Sequence, residues 1–304
     1  MYDIIVVGGG PAGLTAALYA ARAGKSVLVL EGEATGGQIN YSPQVDNYPG
    51  LPGMSGASFG EALTQQARGL GVTIESDEVT GLRPLEKGFE VTCYGGSHTA
   101  KAVVLATGVR HRTLGLPGEE DLIGLGVSYC AVCDGAFYHG RPAAVVGGGD
   151  TALQEALFLS ARCSKVTLIH RRDQFRGEDR LVRQLKERSN VDFLLSCRVE
   201  ELVGGDEGLT GLKVLDLKTN ELKDLAVEGL FVAVGQEPRN QAFAGLVATD
   251  GQGYFLAGED CATSLPGVFA AGDCRIKTVR QLTTAVGDGA VAGLAACRWA
   301  DEQN

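Results

Sequence analysis

A chain of 304 residues with 44% hydrophobic content is long enough to bury one large core or two of ordinary size. Its formal net charge of -10 argues against a nucleic-acid surface, which needs clustered Lys and Arg to displace counterions from phosphates. No apolar run reaches membrane-spanning length, and the opening MYDIIVVGGG lacks the basic start and cleavage site of a secretory signal. The expectation is therefore a cytoplasmic protein that engages neither nucleic acid nor membrane.

The first predicted element is a short apolar strand, Ile4 to Val7. It runs into Gly8, Gly10 and Gly13 spaced as G-x-G-x-x-G, followed by an Ala-rich helix to about Gly24 and a second strand from Ser26 to Leu30 that ends at Glu31. Strand, glycine turn, helix, strand and terminal acid stand in the order a dinucleotide-binding unit requires. The first glycine makes the turn, the second lets the backbone approach a pyrophosphate, and the third brings helix against sheet. Glu31 would accept hydrogen bonds from a ribose.

The same grammar recurs downstream. Ala143 to Val146 lead into Gly147, Gly149 and Ala152, a helix, and a strand from Lys165 to Ile169. Glu31 and His170 occupy matched places, each 23 residues after the first glycine of its turn. His170 is followed by Arg171, Arg172 and, one turn on, Arg176, so the second site offers cationic donors where the first offers a carboxylate. A guanidinium cluster binds a 2′-phosphate that a carboxylate repels. The second site should therefore take NADPH, and the first a dinucleotide without that phosphate.

Among eight cysteines only Cys130 and Cys133 are closely spaced, with Asp134 next to them. A two-residue gap permits a local disulfide that opens without disturbing the fold, and Asp134 can carry a proton to and from exchanging sulfurs. Half a zinc site, with His139 nearby, and an inert buried pair are the competing readings. The isolated Cys93, Cys163, Cys197, Cys261, Cys274 and Cys297 read as plain buried or surface thiols, and His98 and His111 as packing or surface residues.

Taken together, GGGPAG near the start, GGQ at 36–38, ATG at 106–108, CAVCDG at 130–135, GGGDTA at 147–152, HRRDQFR at 170–176, VGQEPRN at 234–240 and FAAGD followed by RQLTTA resemble the low-molecular-weight thioredoxin reductases over nearly the whole chain. The resemblance implies an α/β fold of two Rossmann-like three-layer dinucleotide-binding domains. The FAD domain would span 1–112 and 242–304, with an NADPH domain carrying the CxxC pair, 113–241, inserted between.

By the same resemblance FAD would be held by Gly8, Gly10, Pro11, Ala12, Gly13 and Glu31, by Gly37, Gln38 and Asn47, and by Thr107 and Gly108. Gly272 and Asp273 would reach its ribitol, with Arg280, Gln281 and Leu282 beside the isoalloxazine. NADPH would be held by Gly147, Gly149, Asp150, Thr151 and Ala152, by His170, Arg171, Arg172 and Arg176, and near Gly235. Cys274 departs from the apolar residue expected after that Gly-Asp.

The implied activity passes electrons from NADPH through flavin to Cys130 and Cys133 and on to oxidised thioredoxin. In it Cys133 faces the flavin, Cys130 attacks the partner and Asp134 serves as acid and base. A homodimer is implied, as is a domain rotation about hinges near 112 and 242. Other readings are a dithiol oxidase of the same fold, another small-disulfide reductase, a peroxiredoxin reductase and a non-catalytic dinucleotide sensor. The HRRDQFR run speaks against the oxidase, which needs no NADPH. The peroxiredoxin reductases carry an extra N-terminal region not seen here, and a sensor gives Asp134 no role.

Overall fold

The computed structural model describes residues 1–303. The chain separates into two compact units, one formed by Met1–Arg110 with the stretch from Glu237 onward, the other by His111–Gln236.

The first unit opens with β1 (Tyr2–Val7), α1 (Pro11–Arg22) and β2 (Val27–Glu31). Pro11 at the first helical position loses no hydrogen bond there, and the Ala-rich run behind it buries eight of the twelve helical residues. Ser26, expected within the second strand, lies just before it. Its carbonyl accepts the Asp3 and Ile4 amides, and its own amide donates to the Asp3 carboxylate at 2.9 Å, clamping the entry of both strands. The chain continues through α2 (Gly56–Gly69), β3 (Thr73–Ser76), β4 (Val79–Pro84), β5 (Phe89–Cys93) and β6 (Gly96–Leu105).

One sheet runs β3-β2-β1-β6-β5-β4. β1, β2, β3 and β6 are parallel neighbours, with Ile4 opposite Val27 and Ala102, whereas β4 and β5 form an antiparallel extension on the first half of β6. Apolar side chains fill β1, β2 and the second half of β6 without alternation because both faces of a parallel sheet are covered.

Strand β7 (Val109–His111) carries the chain into the second unit, whose elements are β8 (Val127–Ser128), α3 (Ala131–Asp134), β9 (Pro142–Val146), α4 (Asp150–Ser160), β10 (Lys165–His170), α5 (Asp179–Lys186), β11 (Val191–Leu195), β12 (Cys197–Gly205), β13 (Gly208–Asp216), β14 (Leu222–Ala226) and β15 (Gly229–Val232). Here a parallel sheet runs β11-β10-β9-β15-β8. Helices α4 and α5 cover one face through a core including Leu153, Leu168, Leu185 and Phe231. The antiparallel sheet β12-β13-β14 covers the other through Ile169, Leu212, Val214 and Leu230.

Strand β16 (Gln236–Pro238) returns the chain to the first unit, where β17 (Val268–Ala270) adds to the second half of β6 and α6 (Leu282–Glu302) packs on α1. On the second unit's side the Arg112 amide donates to the Gly235 carbonyl at 3.0 Å; on the first unit's side the Arg239 amide donates to the Gly108 carbonyl at 3.3 Å. The outgoing and returning strands are thus bonded on both sides of the crossing. Each unit is three layers about a parallel sheet, so the chain holds two Rossmann-like domains with the second inserted into the first.

Candidate active site

Within the first unit the glycine turn is built to leave a cradle. Gly8 adopts φ +105°, and a Cβ there would lie 2.3 Å from the Ala106 carbonyl oxygen; a Cβ on Gly13 would lie 1.9 Å from that of Gly8. Gly10 instead faces open space, with no atom within 4 Å of where a side chain would begin. It is also the N-cap of α1, and no side chain caps the helix, so amides at its start are free to meet a phosphate. Glu31, at the end of β2, accepts the Gly9 amide at 2.5 Å, which fixes its carboxylate beside the turn. Gly36 donates its amide to the Gly9 carbonyl at 2.8 Å, and Gly37, at φ +64°, packs on Gly10, so the 36–38 segment lies along the same turn; Gln38 is exposed.

The C-terminal motif folds onto this turn. A Cβ on Gly272 would lie 2.8 Å from the Ala12 Cβ, so only glycine brings Asp273 this close to the start of α1. Asp273 Oδ1 is buried without a hydrogen-bond partner among the described residues, and burial pushes its carboxyl above the ordinary range. An acceptor left in that state needs a donor from outside the protein, and a ribitol hydroxyl supplies one. Arg280 donates to the Asp273 carbonyl at 3.2 Å and stacks 4.2 Å above Tyr254; Gln281 caps α6, which begins at Leu282, and accepts the exposed Asn47 side-chain amide at 3.2 Å. Thr107 bonds Asn240, whose amide group in turn reaches the Gly253 and Cys274 carbonyls, each at 2.9 Å. Cys274 itself is fully buried, its thiol against the Leu105 and Ala271 carbonyls, a small group filling space behind Asp273. The open cradle and the orphaned carboxyl fit FAD.

Within the second unit the second turn repeats the first. A Cβ on Gly147 would lie 2.4 Å from the Ala233 carbonyl oxygen and 2.6 Å from the Ala152 Cβ, whereas Gly149, the uncapped N-cap of α4, has open space. Thr151 is exposed on that first turn of α4, and Asp150 holds the following loop by accepting the Glu178 amide at 2.7 Å. Arg171, Arg172 and Arg176 are exposed and form no ion pair among the described residues, while the Arg176 amide ties this segment to the Gly148 carbonyl at 2.7 Å. The free cations and the open cradle fit a 2′-phosphorylated dinucleotide. His170 differs in character from the three arginines that follow it. It closes a strand buried on both faces, stacks on Phe175 and lies under Gly148, and burial together with Arg176, Arg172 and Arg171 holds its pKa below the ordinary value. It is a neutral ring that takes the place Glu31 has in the first turn.

Cys130 and Cys133 form a disulfide, with Cα atoms 5.3 Å apart, on the short helix α3. Asp134 follows with one carboxylate oxygen bonded to the Ser128 hydroxyl at 2.6 Å and the other buried without a partner. Burial raises the pKa of Asp134 against the opposing Ser128 bond, so it keeps its proton at higher pH than an exposed aspartate. A second carboxyl, missed in the sequence, stands opposite: Glu155 on α4 accepts the Ala131 amide at 3.3 Å, and burial pushes its pKa up to about 7. His139 is exposed, and Gly235 lies at the returning strand.

A disulfide whose turn is bonded to two buried carboxyls, on a chain with two dinucleotide cradles, is the equipment of a nucleotide-fed disulfide oxidoreductase. The comparisons agree: the family described as Pyridine nucleotide-disulphide oxidoreductase matches residues 2–289. A thioredoxin reductase of Listeria monocytogenes is 40% identical, with 99% of this chain and 95% of that protein aligned. The bifunctional thioredoxin reductase/thioredoxin of Mycobacterium leprae is 42% identical over 99% of this chain and 66% of its own length. The crystal structure of thioredoxin reductase from Streptococcus pyogenes superposes with a TM-score of 0.95 at 40% identity, covering 99% of each chain. The chain belongs to the pyridine nucleotide-disulphide oxidoreductases and, among them, to the thioredoxin reductase family. It is an oxidoreductase that works with FAD and NADPH.

Proposed function

We propose that this chain reduces the disulfide of a thioredoxin at the expense of NADPH, with the first unit holding FAD, the second holding NADPH, and Cys130–Cys133 as the working pair. The observation that carries the reading is that disulfide, on a turn that includes the buried carboxyl of Asp134 and is bonded by that of Glu155, in the unit that also bears the cationic second cradle. The pairing of reductase and thioredoxin in the name of the Mycobacterium leprae relative supports the partner.

The chemistry supplied by the bound cofactors is hydride delivery by NADPH and two-electron relay by FAD. As the S–S bond breaks, Cys130 and Cys133 take up two electrons, and two protons complete the dithiol. Asp134 holds a proton within the turn for this step and takes it back when the pair is reoxidised. Cys130 attacks the partner's disulfide and expels one of its sulfurs as a thiolate. Cys133 then attacks Cys130, releasing the second partner sulfur and restoring the bond. This order follows the family resemblance. Because the pair must serve both flavin and partner, the reading includes a rotation of the units about the two crossings, which the sequence-based boundaries put near 112 and 242.

A homodimer and a cytoplasmic home complete the proposal. The resemblance supports both, and six free buried cysteines beside one disulfide support a reducing compartment.

The test is anaerobic titration with NADPH and then oxidised thioredoxin, following flavin absorbance. Uptake of about four electrons, returned to thioredoxin, is expected when flavin and disulfide both cycle. Uptake that stops at about two and is reversed only by oxygen would overturn the reading.

A further inference from the structure

Three amides of the redox turn bond within it or to the strand that leads into it, whereas a fourth bonds a side chain from another helix. The Cys130 amide donates to the Ser128 hydroxyl at 3.1 Å, the Cys133 amide to the Cys130 sulfur at 3.2 Å, and the Asp134 amide to the Cys130 carbonyl at 3.1 Å. The amide of Ala131, a fully buried residue, goes instead to Glu155, which reaches across from the second turn of α4. The other oxygen of Glu155 is buried with no partner among the described residues. Nothing in the proposed electron path requires a second carboxyl here, and a buried carboxyl with an unsatisfied oxygen is costly to keep.

We propose that Glu155 is a positioning residue that sets the reducing power of the Cys130–Cys133 pair: seated on the Ala131 amide, its carboxylate places a negative charge beside the sulfurs and disfavours the thiolate formed on reduction.

The proposal rests on Cys130–Cys133 being the working disulfide. Reduction breaks the S–S bond, adds the two electrons that the activity supplies, and leaves a thiol and a thiolate until the second proton arrives. A neighbouring carboxylate destabilises that thiolate, so the reduced pair gives up its electrons more readily. Asp134, the other carboxyl at this turn, is bonded to Ser128 and sits after Cys133, whereas Glu155 meets the turn at the residue after Cys130. Tyr138, on the 3-10 turn that follows α3, is buried with its pKa pushed up to about 12 and stays neutral.

The test is Glu155→Gln, which keeps an acceptor for the Ala131 amide and removes the charge. At about pH 8, one unit above the carboxyl's own value, purified holoenzyme is equilibrated in dithiothreitol redox buffers and free thiols are counted by alkylation. The variant pair is expected to be about tenfold easier to reduce, equivalent to about 30 mV, and the alkylation midpoint of Cys130 is expected to move to lower pH. Flavin content and NADPH-driven ferricyanide reduction, which bypass the pair, should match the wild type and certify the fold. A redox equilibrium and alkylation midpoint that coincide with the wild type would overturn the proposal. Cys130→Ser is run alongside: thioredoxin reduction that survives in it would instead sink the underlying reading, whatever Glu155 does.

Discussion

Ser128 donates its hydroxyl to one oxygen of Asp134 at 2.6 Å while the other oxygen of that carboxyl, also buried, has no partner among the described residues. The side chain is oriented by the first bond and left free to hold a proton at the second. Since its folded pKa is raised, its protonated form favours the folded state. That stability is full below the unfolded value of about 3.9 and is lost as pH rises through the folded value.

Asp134→Asn is therefore expected to divide stability from activity. Urea midpoints of the variant should exceed those of the wild type by a margin that opens as pH rises above about 4, because Asn carries no ionisation penalty. Thioredoxin reduction should fall about 100-fold or more for want of the proton carrier. Equal midpoints across the whole pH range would contradict the buried-acid account.

The two glycines of the first turn should respond oppositely to the same methyl group. Gly13→Ala drives a Cβ to 1.9 Å from a backbone oxygen and should cost about 1–3 kcal/mol of stability. Gly10→Ala meets no protein atom, so the apoprotein should melt within about 0.5 kcal/mol of wild type while retaining far less flavin. Absorbance of the purified protein and thermal melts separate the two effects.

Arg171 and Arg172 are exposed and free of ion pairs among the described residues, so their loss leaves the fold alone. Changing both to Ala should raise KM for NADPH about tenfold or more while NADH kinetics change little, since each charge-assisted bond to a phosphate contributes about 1.5–3 kcal/mol. A parallel loss with both nucleotides would refute the phosphate-reading role.

Asp288, on α6, accepts the Gly272 amide at 3.0 Å, Arg275 at 2.7 and 2.8 Å and Lys277 at 2.9 Å, all in the buried base beneath Asp273. Burial opposes its ionisation, but the Arg275 and Lys277 bonds outweigh it and hold the carboxyl below the ordinary range. Its stabilisation is present above the unfolded value of about 3.9 and is lost as pH falls through the lower folded one. Asp288→Ala leaves two buried cations without their shared partner and should cost about 3–5 kcal/mol in urea unfolding at neutral pH.

What the sequence made legible was whatever depends on spacing along the chain. Gly8 and Gly147 announce their turns because a tight strand-to-helix turn needs glycine at fixed intervals, and Glu31 and His170 follow at equal distances because the helix between has a set length. Glu155 carries no such mark. It meets Ala131 across 24 residues through the packing of α4 on α3, and a lone Glu within a helical run reads as a solvated side chain. The Arg275–Lys277–Asp288 base was hidden for the same reason. The neutral state of His170 has a legible cue, since the residue ending an apolar strand flanked by parallel neighbours on both sides is buried.

Helix α6 approaches α1 closely enough that a Cβ on Gly289 would lie 2.2 Å from the Ala12 carbonyl oxygen and one on Gly293 2.6 Å from that of Ala16. The wall behind the first cradle is therefore made by a helix that lies far along the chain from the turn it backs. The inserted unit, continuous from His111 to Gln236, has its own cores complete before α6 is synthesised. The disulfide and its two carboxyls thus belong to a part of the chain that can fold early, whereas the first cradle closes only once α6 has reached α1.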